Sequence, residues 1–145
     1  MDKTEHYRRL ESMYQAAPIN DFYSPVMKVS EGRAEISIDV SSKLFHAAQA
    51  VHGSVYFKML DDAAYFAANS LEQEFFVLTT SFTTYLTRPI SSGSMRAVGK
   101  VVNYNRSQFI AEAIVYNEKQ KEIARGNGIF VRGKNKLLDV IGYKD

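Results

Sequence analysis

Two groups of residues in this chain could do chemistry, and both sit on one segment. His52-Gly53-Ser54 opens a run of helical periodicity that continues to Ser70, and the adjacent acids Asp61-Asp62 interrupt its apolar middle. The first amides of a helix have no partner inside it and carry partial positive charge, so they could bind an anion or a developing oxyanion. Gly53 would let a substrate approach the backbone with no Cβ in the way. Equally, Ser54 could be a helix cap and Gly53 a turn residue. The acids carry more information. A carboxylate on the apolar part of a buried helix is costly unless paired, which marks either a functional site or a structural ion pair. Adjacent helix residues point about 100° apart, so at least one of the two acids should face solvent.

Other chemistries lack the residues they need. The absence of cysteine excludes disulfides, thiolate catalysis and cysteine-ligated zinc. His6, His46 and His52 fall on different elements, with no His-x-x-x-His or Glu-x-x-His pair, so no metal site is expected. There is no Gly-x-Ser-x-Gly elbow, and the only Gly-x-Gly, Gly126 to Gly128, lies in a strand-like segment rather than between a strand and a helix. The net charge of +2 is scattered, unlike the clustered basic face of a nucleic-acid binder. Only Arg132 to Lys136 is locally basic, and it reads as a solvated tail. The start, MDKTEHYRRLESM, is too polar for the apolar core of a secretory signal, and no run is long enough to span a bilayer. A cytoplasmic protein that binds neither membrane nor nucleic acid is expected.

The elements that must position His52, Gly53 and the acids follow from periodicity. With 46% hydrophobic and 23% charged residues, the 145-residue chain has the make-up of one ordinary globular domain. Tyr7, Leu10, Tyr14 and Ala17 recur at steps of three and four, predicting a helix over Thr4–Ala17 that Pro18 ends and that covers one sheet edge. Strict alternation from Ala34 to Val40, with Val26 and Val29 before Gly32, predicts a hairpin. The central helix, Ser54–Leu71, carries two neighbouring stripes: Val55, Met59, Ala63, Phe66 and Ser70, then Tyr56, Leu60, Ala64, Ala67 and Leu71. Such a wide apolar surface predicts burial along most of its length, with alanines at 63, 64, 67 and 68 allowing a sheet to approach closely. Tyr56, Phe57, Tyr65 and Phe66 could be pocket walls or core. Four strand-like segments follow, Phe75–Leu86, Met95–Tyr104, Phe109–Tyr116 and Ile123–Val131, joined by short turns that predict an antiparallel meander. The class is α+β, an antiparallel sheet wrapped around one long helix.

With these residues in place, the chain resembles the hotdog-fold thioesterases of the phenylacetate-degradation type. Their signature is a His-Gly-Gly triplet opening the central helix, an aspartate nine positions after the histidine, and a strand ending in Tyr-Leu-x-Pro or similar. Here His52-Gly53-Ser54 opens the helix, Asp61 follows His52 by nine, and Tyr85-Leu86-Thr87-Arg88-Pro89 ends the strand. The resemblance spans roughly Phe45 to Val131. It implies one hotdog domain over residues 1–145, with an N-terminal helix in 1–20 and a C-terminal tail at 132–145.

It further implies an acyl-coenzyme A thioesterase with no cofactor, coenzyme A being part of the substrate. The Gly53 amide would polarise the thioester carbonyl, Asp61 would act as general base or nucleophile, Thr79 would position the water, and His52 would shape the start of the helix. The second glycine of the triplet is Ser54, whose amide donates equally well. The family's asparagine six positions before the histidine is His46 here, which could donate the same bond. Arg88, Lys100, Arg106 and Arg125 near strand ends could hold the coenzyme A phosphates or simply be solvated. A non-catalytic acyl-coenzyme A sensor on the same fold is the alternative, whereas His52 with Asp61 does not resemble the dehydratases. Gly53 and Asp61 are eight residues apart, about 12 Å along a helix, so one helix cannot serve one thioester with both. The family's two-fold dimers, alone or as dimers of dimers, would bring Gly53 of one chain to Asp61 and Thr79 of another.

Overall fold

The computed structural model describes residues 1–144. The chain runs α1 (Lys3–Ala16), α2 (Asn20–Tyr23), β1 (Val26–Ser30), β2 (Arg33–Asp39), α3 (Gly53–Asn69), β3 (Phe75–Leu86), β4 (Ser94–Tyr104), β5 (Phe109–Asn117) and β6 (Glu122–Lys136), with 3-10 turns at Ser42–Leu44 and Leu137–Asp139. The six strands form one antiparallel sheet in the order β1-β2-β4-β5-β6-β3. It wraps around α3, whose Leu60, Ala63, Ala64, Ala67 and Ala68 are fully buried.

The small residues set the distance between layers. Gly99 on β4 lies so close to α3 that a Cβ there would overlap the Ala63 carbonyl, and Ala63 in turn offers only a methyl group. Helix and strand thus meet backbone to backbone, and Ile36, Met95, Ala97, Ala111, Ala113 and Phe130 close the core around that contact.

The expected hairpin and central helix are present, but three features differ. The last four strands are not a simple meander: β4, β5 and β6 are, whereas β3 lies on the far side of β6. Residues 87–93 therefore cross beneath the sheet's end, where Thr87 and Arg88 amides donate to Ile123 O and Val51 N donates to Ile90 O. The segment from Arg132 to Lys136 is not a solvated tail. Arg132 to Lys136 continue β6, Arg132 Nε meets Glu72 Oε1 at 2.6 Å, and Leu137 and Tyr143 are fully buried. Finally, α1 does more than cover the β1 edge. Tyr14 stacks edge-on against Phe66 of α3 with ring centroids 5.0 Å apart, and His6 reaches the C-terminal end of α3.

That histidine fastens both ends of the chain. Fully buried, it bonds Asn69 O through Nε2 and the Tyr143 hydroxyl through Nδ1, each at 2.8 Å. Because a carbonyl can only accept, Nε2 carries the proton and Tyr143 donates to Nδ1. Arg9 adds a bond to Tyr143 O at 3.1 Å.

Candidate active site

Asp61 and Asp62 point in different directions around α3 yet line the same cavity. Neither is fully exposed, which corrects the expectation that one would simply face solvent. Asp62 is the structural member of the pair. Its Oδ2 accepts from Lys58 Nζ at 2.6 Å, an i,i+4 bridge, and from the Tyr14 hydroxyl at 2.7 Å. Lys58 is only 14% exposed and is covered by the rings of Tyr14 and Tyr23, so this is a desolvated, cation–π-supported pair. Burial raises the pKa of the Tyr14 hydroxyl, as does the Asp62 charge, so Tyr14 stays a donor.

Asp61 has no cation against it. Its one hydrogen bond comes from the Thr79 hydroxyl, to Oδ1 at 2.9 Å. Burial pushes its carboxyl up to about 6, and the Asp62 charge adds to this, while the Thr79 bond and Lys58 oppose it. A carboxylate poised near neutrality with an unpartnered oxygen is suited to take a proton from water.

Thr79 reaches Asp61 through an irregularity in β3. Thr79 pairs with Phe130 and Ser81 with Ile129, leaving Thr80 as a one-residue bulge. Before the bulge Val77 and Thr79 face α3; after it the parity switches and Phe82 faces inward instead. Gly126 and Gly128 give the Phe82 ring its seat on β6, since a Cβ at either would run into it. The Gly-x-Gly of the sequence is a ring platform.

The cavity beside these acids has a volume of about 640 Å³ and mainly apolar walls. Met13, Tyr14 and Ala16 of α1, Ile19 and Asn20 near α2, Tyr65 and Phe66 of α3, and Val140 and Ile141 enclose it, with Asp61 and Thr79 in its lining. Of the four aromatics singled out by sequence, Tyr65 and Phe66 are cavity walls; Tyr56 is buried with its hydroxyl on Arg88 O at 2.9 Å, and Phe57 packs against Phe82.

A second polar cluster surrounds the start of α3. His52 is the cap: its Nδ1 accepts the Ser54 amide at 3.0 Å and stands 2.8 Å from Ser54 Oγ. Ser54 is thus spent on orienting His52. With Nδ1 accepting, His52 carries its proton on Nε2 and presents it as a donor. Val55 N donates to His52 O, while the Gly53 amide has no bonded partner among the described residues. A Cβ at Gly53 would touch Leu86 Cδ1 at 3.1 Å, which puts the end of β3 alongside this amide. His46 follows the same logic as His52. Its Nδ1 accepts the Ala48 amide at 3.0 Å within a tight turn closed by His46 N to Ala50 O, so Nε2–H is its free donor. That turn holds Gln49 at φ 67, a left-handed conformation uncommon for a residue with a side chain.

The structure brings together Asp61 and Thr79, and separately His52, Gly53 and Ser54, but not these two sets within one chain. Arg88 lies near the second set through the Tyr56 contact. Arg106 lies elsewhere, its carbonyl accepting from Arg132 beside Glu72 near the far end of α3. Lys100 and Arg125 are engaged with Glu112 and Glu122. Among the described residues, no group of three or more His, Cys, Asp or Glu side chains forms a metal site, and no helix is long and apolar enough to cross a membrane.

The sequence profile of the thioesterase superfamily matches residues 48–124, more than half of the chain and the part that carries His52 to Ser54, Asp61 and Thr79. The chain belongs to the thioesterase superfamily. Solved structures of this superfamily share its hotdog fold. The PaaI protein from the phenylacetic acid degradation operon of E. coli superposes with a TM-score of 0.84 at 20% identity, covering 92% of this chain and 97% of that one. A thioesterase family protein from Silicibacter pomeroyi gives 0.79 at 22% identity over 88% and 99% of the two chains, and a thioesterase from Haemophilus influenzae 0.74 at 15% over 83% and 85%. At these identities the likeness is one of fold. No curated protein matches the sequence.

Several residues around this thioesterase-superfamily site escaped the sequence. Lys58 could have been found from its i,i+4 spacing to Asp62. Tyr14 and Asn20 could not, because nothing local ties α1 and α2 to the middle of α3.

Proposed function

We propose that the protein hydrolyses acyl-coenzyme A thioesters, with Asp61 as general base. The observation that carries this is the Asp61 carboxyl itself. It is held by Thr79, lies against an apolar cavity large enough for an acyl group, and is pushed up to about 6. Asp61 takes a proton from water as the water oxygen attacks the thioester carbonyl carbon. The resulting oxyanion is met by the Gly53 amide and the positive end of α3. The intermediate collapses by expelling the coenzyme A thiolate, which takes the proton held by Asp61 and leaves as the thiol, returning Asp61 to its carboxylate.

The two sets of groups belong to different chains of a homodimer in this reading. Asp61 lies about 12 Å along the helix from Gly53, beyond the reach of one carbonyl. β3 supports such an assembly: it pairs only with β6, and its free edge runs for 12 residues with Leu78, Tyr85 and Leu86 each about half exposed. His46 Nε2–H, and Arg88 near the helix start, are then placed to meet the thioester and the coenzyme A phosphates.

Hydrolysis of a panel of short, medium, long and aromatic acyl-coenzyme A thioesters tests the reading. Turnover of at least one, lost in Asp61→Asn with the fold intact, is the expected result. Full activity in Asp61→Asn would remove the assigned base. Tight binding without turnover would leave a sensor, and a monomer in solution that still hydrolysed substrate would refute the shared site.

A further inference from the structure

Four charged side chains line the mainly apolar cavity: three carboxylates, Asp61, Asp62 and Asp139, and a single cation, Lys58. The cation is already engaged. Lys58 Nζ lies 2.6 Å from Asp62 Oδ2, and the rings of Tyr14 and Tyr23 flank it with centroids at 5.3 and 5.0 Å. The Tyr14 hydroxyl, reaching over from α1, donates to the same Asp62 oxygen at 2.7 Å and fixes it. Asp139 stands exposed in the C-terminal 3-10 turn, and Asp61 has only the neutral Thr79 hydroxyl bonded to it. Among the described residues, an anion in this cavity therefore meets carboxylates and no uncommitted positive charge. The effect of this falls on product and not on substrate. A thioester carbonyl is neutral, whereas hydrolysis leaves a carboxylic acid, which gives its proton to water near neutral pH. That carboxylate forms at the carbon attacked by the water, so it starts beside Asp61, whose own carboxyl is again charged. Like charges held close in a partly desolvated site repel each other.

We infer that Asp62, by holding Lys58, denies the product acid a counterion in this cavity and so speeds its departure. The inference rests on the thioesterase reading for the identity of the product, and it deepens that reading by giving Asp62 a part in product release distinct from the work of the base. Lys58 precedes Asp61 by three residues and Asp62 by four, so both acids are its neighbours on the surface of α3. Both charges also act on Asp61, whose carboxyl the Asp62 charge raises and Lys58 lowers. One ammonium thus stands within reach of two demands. Asp62, braced by Tyr14, takes it, and an acid left beside Asp61 goes without. With Asp62 uncharged, Lys58 would be released to pair with that acid by a charge-assisted hydrogen bond. Asp62 is a positioning residue that acts through Lys58.

Octanoate with octanamide, and phenylacetate with phenylacetamide, are matched anionic and neutral probes, titrated by calorimetry at pH 8, where Asp61 is ionised. The wild-type protein should bind each amide roughly tenfold more tightly than its acid, equivalent to about 1.4 kcal/mol. In Asp62→Asn, which keeps an acceptor for the Tyr14 hydroxyl, each acid should tighten about tenfold while the amides stay unchanged. Adding Lys58→Met to Asp62→Asn should return the acids to their wild-type weakness, a reversal that a general loosening of α1 from α3 would not produce. In turnover, inhibition by the same acids should strengthen in Asp62→Asn while initial rates at pH 8 stay within about twofold of wild type. Failure to hydrolyse any thioester, with the acid and amide differences intact, would count against the enzymatic reading alone. Amides that bind the wild-type protein no more tightly than their acids would overturn the inference without any variant having to fold, as would acids that do not tighten in Asp62→Asn.

Discussion

Replacing Thr79 with valine keeps a β-branched residue in β3 and removes the hydroxyl that donates to Asp61 Oδ1 at 2.9 Å. That bond opposes burial, which pushes the Asp61 carboxyl up to about 6. A hydrogen bond to a charged group contributes about 1.5–3 kcal/mol when buried, and partial solvent access at Asp61 reduces this to the equivalent of roughly one pKa unit. Wild-type kcat/KM should therefore rise with pH along a limb centred near 6, and the Thr79→Val limb should lie near 7. The two profiles differ in a characteristic way. At pH 6 the ionised fraction falls from about one half to about one tenth, a roughly fivefold loss of activity; at pH 7 the loss is about twofold, and by pH 9 it has vanished. Release of the coenzyme A thiol, followed in buffers of constant ionic strength, reads this directly. A loss of the same size at every pH would mean that Thr79 acts on the substrate or water and not on the base. Superimposable limbs would mean that the bond does not reach the catalytic ionisation.

The same carboxyl affects stability in the opposite sense from activity. Its folded-state pKa is raised above 3.8, so its ionisation removes stability as pH rises from 3.8 through about 6. Asp61→Asn should accordingly unfold later than wild type at pH 7.5, by on the order of 1 kcal/mol after allowing for partial exposure, as thermal denaturation would show. His6 works at the other end of the chain: burial lowers its pKa below 6.5, so the stability of its neutral clasp is full above pH 6.5 and declines as pH falls through that value towards the folded pKa. The pH dependence of the melting temperature between pH 7 and 5 should flatten in His6→Gln. Gly99→Ala inserts a methyl group into the Ala63 carbonyl and should cost at least about 2 kcal/mol or abolish soluble expression, measured by urea titration.

The central helix was legible because its apolar stripes are wide and its acids stand alone within them; a local pattern suffices for such an element. The positions of Gly53 at the start of α3 and of Asp61 within its apolar stripes were readable for the same reason, together with the family's nine-residue spacing from His52 to Asp61. The place of β3 was not. Strand order is decided by pairings between residues such as Thr79 and Phe130, which are distant in the chain, whereas short turns suggest only that neighbours pair. The bulge at Thr80 also hides the alternation of β3 by switching its parity midway. The C-terminal residues misled for a compositional reason: Arg132 to Lys136 look solvated, but Arg132 is drawn in by Glu72, and Tyr143 is held by His6. Of the cavity walls, Tyr65 and Phe66 were readable on the central helix, whereas those supplied by α1 and α2 were not, since Tyr14 meets α3 only through tertiary packing.

The bulge at Thr80 also bears on how this strand could change over generations. Deleting Thr80 would restore simple alternation with Val77, Thr79, Phe82, Thr84 and Leu86 all still on the inner face, because the extra residue is itself what reverses the parity. A one-residue gap here would therefore scramble nothing in the core. It would instead relax the local bend that presents the Thr79 hydroxyl to Asp61. β3 is a place where a length change can alter how Thr79 meets Asp61 while leaving the inward-facing pattern of the strand intact.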